Sequence, residues 1–117
     1  EIVPDFYDFD AVVSIDFVEH LQPEQSRNFI EMMERIPKRA LLIFTPENAQ
    51  DPDLPTLNQP KDTWGIVGND DFQTHKSAQN RKYYAERGYS VSHLSSPHNI
   101  YDRTTYYEML YVKTFER

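Results

Sequence analysis

The chain of 117 residues has no cysteine, only three glycines and a single tryptophan. Without cysteine there is no disulfide framework and no thiolate chemistry, a usage that fits a cytoplasmic protein. Long apolar runs are missing as well. The longest, Ala40–Phe44, falls far short of the ~20 residues that cross a bilayer, so no membrane partner is expected. No signal-peptide pattern opens the chain. Positive charge is scarce: 12 Lys and Arg stand against 19 Asp and Glu, for a net charge of −7. That balance argues against non-specific nucleic-acid binding, which needs a positive surface to neutralise phosphates. A nucleic-acid substrate held by a few local basic groups is not excluded. Internal repeats and low-complexity tracts are absent too.

What is present suffices for one folded domain over residues 1–117, since 38% of residues are hydrophobic and 14% aromatic. Residues 10–16, DAVVSID, read as a strand whose near-continuous apolar run suits cover on both faces. From Pro23 to Ile36 the spacing turns helical: Phe29, Ile30, Met33 and Ile36 share one face, Pro23 suits the first turn, and Pro37 stops the helix. Residues 40–45, ALLIFT, form a second apolar strand, and strand–helix–strand order predicts a parallel pair. A long loop is expected over 46–74, rich in proline. A helix over about 76–87 follows, capped by Gly88. Two more strands, YSVSHLSS and TYYEMLYVKTFE, are joined by a turn around 97–103; the second is apolar on both faces and belongs inside the sheet.

The chemistry concentrates where the first strand ends, in SIDFVEHL. Asp16, Glu19 and His20 are costly there unless they face solvent or bind something. Ligands of open α/β sheets gather at the C-terminal ends of parallel strands. One reading has these residues lining a cleft; the other has Glu19 and His20 bracing the next helix while Asp16 fixes the turn. His75 either joins them or caps the helix that follows it. His93 and His98 read as structural. Trp64 and Phe72 pin the long loop to the core or wall a substrate, and Asp51, Asp53, Asp62, Asp70 and Asp71 read as a solvated loop surface.

YDFDAVVSIDFVEHL, a helix, ALLIFTPE, a long loop, THKSA, ERGYSV and a last strand, in this order, resemble the C-terminal half of class I S-adenosylmethionine-dependent methyltransferases. The most specific signals are D-x-x-E-H-L after one strand and TPE after the next. The resemblance spans essentially the whole chain and implies an α/β fold: a partial Rossmann-like sheet in the order fourth, fifth, seventh, sixth strand, with only the seventh antiparallel and helices flanking it. It implies transfer of a methyl group from S-adenosylmethionine to an acceptor that the sequence does not name. Asp16 and Phe17 would border the methionine end of that cofactor, and Glu19, His20 and His75 would act on the acceptor as base or ligands. The acid-x-x-Glu-His pattern with a distant histidine also resembles the metal site of small-RNA 3′-terminal 2′-O-methyltransferases and, in its first part, the ubiquinone-pathway O-methyltransferases. On that resemblance Asp16, Glu19, His20 and His75 would hold a divalent ion, although Asp16 stands where that pattern has a longer glutamate.

The glycine-rich turn of the E/D-x-G-x-G kind does not occur in the chain. The three strands that carry it in the family would precede Glu1, so the chain is expected to be cut from something longer and inactive by itself. Its partners would then be the missing half of the fold, or a second copy joined through an exposed strand edge. The competing class is a non-catalytic, methyltransferase-like interaction module.

Overall fold

The computed structural model describes residues 9–56, 75–94, 98–100 and 104–117. β1 (Phe9–Ile15) and β2 (Pro37–Asn48) pair in parallel, with Val12 opposite Leu41 and Ile15 opposite Phe44. Between them come a 3-10 turn (Val18–His20) and α1 (Pro23–Met33), the crossover that a parallel pair requires. After β2 the described chain resumes at His75 and forms α2 (Arg81–Glu86), β3 (Ser90–His93), the short β4 (His98–Ile100) and β5 (Thr104–Thr114). β5 lies between β2 and β3, antiparallel to both, and β4 adds to its start. The sheet order is β1-β2-β5-β3. The fold is thus a small α/β unit with a mixed sheet, and the strand order and directions are those expected.

Both helices pack on one face of this sheet. Ile30 and Met33 of α1 and Tyr84 of α2 meet Leu41 and Ile43 of β2 and Met109 and Tyr111 of β5 in the core. The Tyr84 and Tyr111 rings stack at 3.9 Å between centroids.

Where a turn is expected around 97–103 the structure has the short strand β4, paired with the start of β5, and three further elements differ from expectation, each for a local reason. α1 ends at Met33 rather than Ile36, because the chain tightens to i→i+3 bonds at Arg35 and Ile36 ahead of Pro37. β2 does not stop at Thr45: it runs through Pro46 to Asn48, held by β5 as far as Asn48 opposite Tyr106. The second helix begins at Arg81 rather than Lys76. Residues 76–79 give their hydrogen bonds to the 3-10 turn instead, and the Asn80 side chain accepts the Lys82 N–H as the helix cap. Gly88 is the expected C-terminal cap, with φ of 90° and the Tyr89 N–H returning to the Tyr84 carbonyl at 3.0 Å. Among the described residues, no helix is long and apolar enough to cross a membrane. Trp64, Phe72, Asp62, Asp70 and Asp71, on which the loop readings bear, lie outside the described residues, as does the side chain of His98.

Candidate metal centre

The site is built where β1 leaves the sheet. The Asp16 N–H still bonds the Phe44 carbonyl at 2.9 Å, but Asp16 itself adopts φ of 49°, a left-handed backbone that turns the chain. The 3-10 turn follows, closed by His20 N–H on the Phe17 carbonyl and Leu21 N–H on the Val18 carbonyl. Val18 is wholly buried in the core, and this anchor carries Glu19 inward with it. Glu19 is 2% exposed. Its Oε1 accepts the Thr45 hydroxyl at 2.9 Å, while Oε2 lies 3.8 Å from His20 Nε2.

His75 comes to the same place from far along the chain. The His20 and His75 rings meet edge to face at 4.7 Å between centroids. One ligand atom from each of Glu19, His20 and His75 lies within 4.8 Å of the others. Donors bound to a first-row cation at about 2.0–2.2 Å sit roughly 3–4.4 Å apart, so the spacing suits such an ion after small side-chain adjustments. The donor set, one carboxylate and two imidazoles, suits manganese, cobalt, zinc or iron(II) better than magnesium, which prefers oxygen alone. Supporting partners are also in place. The Thr45 hydroxyl fixes one oxygen of Glu19, and the Thr56 hydroxyl pairs with His75 Nδ1.

Burial pushes the Glu19 carboxyl up to about 7, with Asp16 adding to the rise and the Thr45 hydroxyl opposing it. Burial, reinforced by His20, lowers His75 to about 4, which keeps its imidazole neutral and able to ligate. A divalent cation would favour the ionised Glu19 and the neutral imidazole together.

Asp16 is outside the three-donor group. It lies at the surface, where partial desolvation of its carboxyl together with the nearby Glu108 raises its pKa, against an opposing contribution from His20. Phe17 follows it on the surface and packs edge-on against Phe29. His93 sits apart, its Nε2 at 2.8 Å from the Arg81 guanidinium, in keeping with a structural role. Asp51 and Asp53 are exposed, as expected of a loop surface.

The sequence reading missed several residues that hold the site. Thr45 and Glu47 lie in the TPE segment: Thr45 serves Glu19, and the buried Glu47 accepts Arg81 N–H at 2.7 Å and its guanidinium Nε at 2.8 Å. TPE was therefore a usable signal. Thr56, Ser77 and Gln79 carried none, since their partners are remote in the chain.

No protein-family model, no curated protein and no solved structure matches this chain.

Proposed function

We propose that this chain is the acceptor-side half of an S-adenosylmethionine-dependent methyltransferase whose acceptor is held at a divalent cation by Glu19, His20 and His75. The observation that carries the reading is the meeting of these three donors just past the C-terminal end of β1, beside Thr45 of β2. The sheet order β1-β2-β5-β3, with β5 antiparallel, supports it by matching the order that the methyltransferase resemblance implies. A cation bound there supplies Lewis acidity that lowers the pKa of an acceptor hydroxyl. Glu19 would contribute the negative charge of the site and His20 and His75 its imidazole donors, while Thr45 and Thr56 orient Glu19 and His75. Asp16 and Phe17, at the turn out of β1, would border the donor's methionine end. Methyl transfer is an in-line displacement, so positioning of acceptor against sulfonium is the protein's main task. A cytoplasmic location belongs to this reading.

The test is calorimetric titration with manganese and cobalt. One equivalent should bind, and His20→Ala with His75→Ala should weaken binding by at least about 100-fold, as loss of two of three donors demands. Equal binding by wild type and the double variant would overturn the cation site. The methyl-donor part is tested separately, by titrating S-adenosylmethionine into the natural polypeptide that carries these residues; no binding there favours the second reading. That reading is a non-catalytic interaction module, and the exposed Phe9, Val13 and Ile15 of β1 favour it.

A further inference from the structure

We propose that Gln79 is the positioning residue that sets His75 against His20, and so completes the three-donor centre. This inference rests on the cation reading of Glu19, His20 and His75. It concerns a residue that touches none of the reacting groups.

The segment 75–79 has the composition to continue the helix that starts at Arg81, yet it does not. Its hydrogen bonds run sideways to the 3-10 turn. The Glu19 carbonyl accepts the N–H groups of Lys76 at 2.8 Å and Ser77 at 3.2 Å. The Val18 carbonyl accepts the Ser77 hydroxyl at 3.2 Å and the Gln79 side-chain amide at 3.4 Å. The strap thus joins the stretch that carries His75 directly to the backbone that carries Glu19 and His20.

Gln79 is the hub of that strap. It is 4% exposed, and every polar atom of its side chain is used. Its Nε2 donates to Ser77 Oγ at 2.8 Å and reaches Ser26 Oγ of α1 at 3.2 Å. Its Oε1 accepts the Tyr84 hydroxyl, and its carbonyl accepts the Tyr111 hydroxyl at 3.4 Å. Its side-chain amide therefore ties the 3-10 turn, α1 and α2 together just past His75, and its main-chain carbonyl adds β5. An apolar side chain of similar size could fill this space. Only an amide can donate to Val18 and Ser77 while accepting from Tyr84. Buried polar networks are costly when half satisfied, and a fully satisfied one fixes a single arrangement. Here that arrangement is the one in which the imidazole of His75 stands edge-on to His20.

The experiment compares wild type with Gln79→Met and, as a milder cut in the same strap, Ser77→Ala. Cobalt is the probe, read by its visible absorption spectrum and its affinity, with near-ultraviolet circular dichroism of the cation-free proteins as the check on folding. Gln79→Met should retain its fold, weaken cobalt binding by about 10–100-fold, the usual effect of removing an outer partner of a ligand, and change the spectrum toward that of His75→Ala. In the His75→Ala background, Gln79→Met should cost nothing further, because a positioning residue acts through the group that it positions. Additive losses in that cycle would overturn the proposal, as would an unchanged spectrum and affinity in Gln79→Met. If Gln79→Met fails to fold, the same cycle with Ser77→Ala decides, with the same outcomes. Absence of cobalt binding to wild type would refute the cation reading instead. Positioning is then judged from the cation-free protein, by ring-to-ring nuclear Overhauser contacts between His20 and His75: present in wild type and lost in the variant they uphold it, and retained in both they overturn it.

Discussion

Glu19 holds a carboxyl group inside the protein with two imidazoles beside it. Its folded-state pKa, about 7, lies above the ordinary 4.5, so the folded state binds a proton more tightly than the unfolded chain does. Stability of the cation-free protein should therefore fall as pH rises from about 4.5 to 7 and then level off. The cost at the plateau is on the order of 3 kcal/mol for a shift of this size. Glu19→Gln keeps the shape and an acceptor for Thr45 without the charge. In the presence of chelator it should be more stable than wild type by about 1–3 kcal/mol at pH 8 and no more stable at pH 4. Denaturant titrations at the two pH values check this; a Gln variant less stable at pH 8 would show that the carboxylate is not under strain. The same variant should lose cation binding. At this scale the sequence was partly legible. Asp16, Glu19 and His20 stood out because a strand end seldom carries three such groups, and His75 was singled out with them. Thr56 and Gln79 were silent, because a residue's part in a network depends on partners that no local spacing reveals.

Elements obey local rules until a neighbour overrides them. Pro46 should have ended β2, since proline cannot donate to a ladder. It is tolerated because the Phe44 carbonyl faces β1, so the backbone of Pro46, two residues on, faces the same side, and β1 has already ended at Ile15. β5 continues to hold β2 from the other side. The early end of the predicted loop was illegible for that reason: it depends on where another strand stops. The cap of α2, by contrast, was read correctly from one glycine. Gly88 has φ of 90°, and a Cβ there would meet nothing closer than the Lys113 side chain at 3.9 Å. The cost of Gly88→Ala is therefore backbone strain alone, about 1–2 kcal/mol. Chemical denaturation should show that loss with cobalt affinity unchanged, because the cap is remote from His75. A second acid–base effect belongs to the same corner. Burial would raise Glu34, but hydrogen bonds from Arg87 and Tyr89 and the charges of Arg87 and Lys113 outweigh it and hold the carboxyl below its usual range. Its contribution is complete above about 4.5 and is lost as pH falls through the lower folded value. Glu34→Gln should accordingly flatten the acid limb of the stability curve, measured by thermal unfolding at pH 3 to 6.

Among the described residues, the helices cover one face of the sheet. Leu41 and Ile43 of β2 and Met109 and Tyr111 of β5 form the covered face with α1 and α2, while Leu42, Phe44, Leu110 and Val112 are only partly buried on the opposite face. On β1 that second face is open: Phe9 is 59%, Val13 52% and Ile15 64% exposed. β1 is also the sheet's terminal strand, so among the described residues its outer edge has no partner. The run in β1 was readable as a strand that wants cover on both sides; nothing in its composition says what covers it. Sheet order was legible for the opposite reason, since β5 is apolar on both faces and fits only an interior position. An apolar strand with a free edge is a template for pairing with another chain. The chain of 117 residues by itself should therefore associate with further copies through β1. Val13 and Ile15 are half or more exposed, so replacing either leaves the core intact. Each contributes on the order of 1 kcal/mol when the remaining surface is covered, which makes Ile15→Lys weaken association by about fivefold, and the double change with Val13→Lys more so. Sedimentation velocity over a concentration series measures this directly. Wild type should show a concentration-dependent rise in sedimentation coefficient that the lysine variants suppress, with unchanged circular dichroism. A wild-type chain that stays a single monomeric species at high concentration would mean that the β1 edge is not a template, and that its exposed face is tolerated in water as it stands.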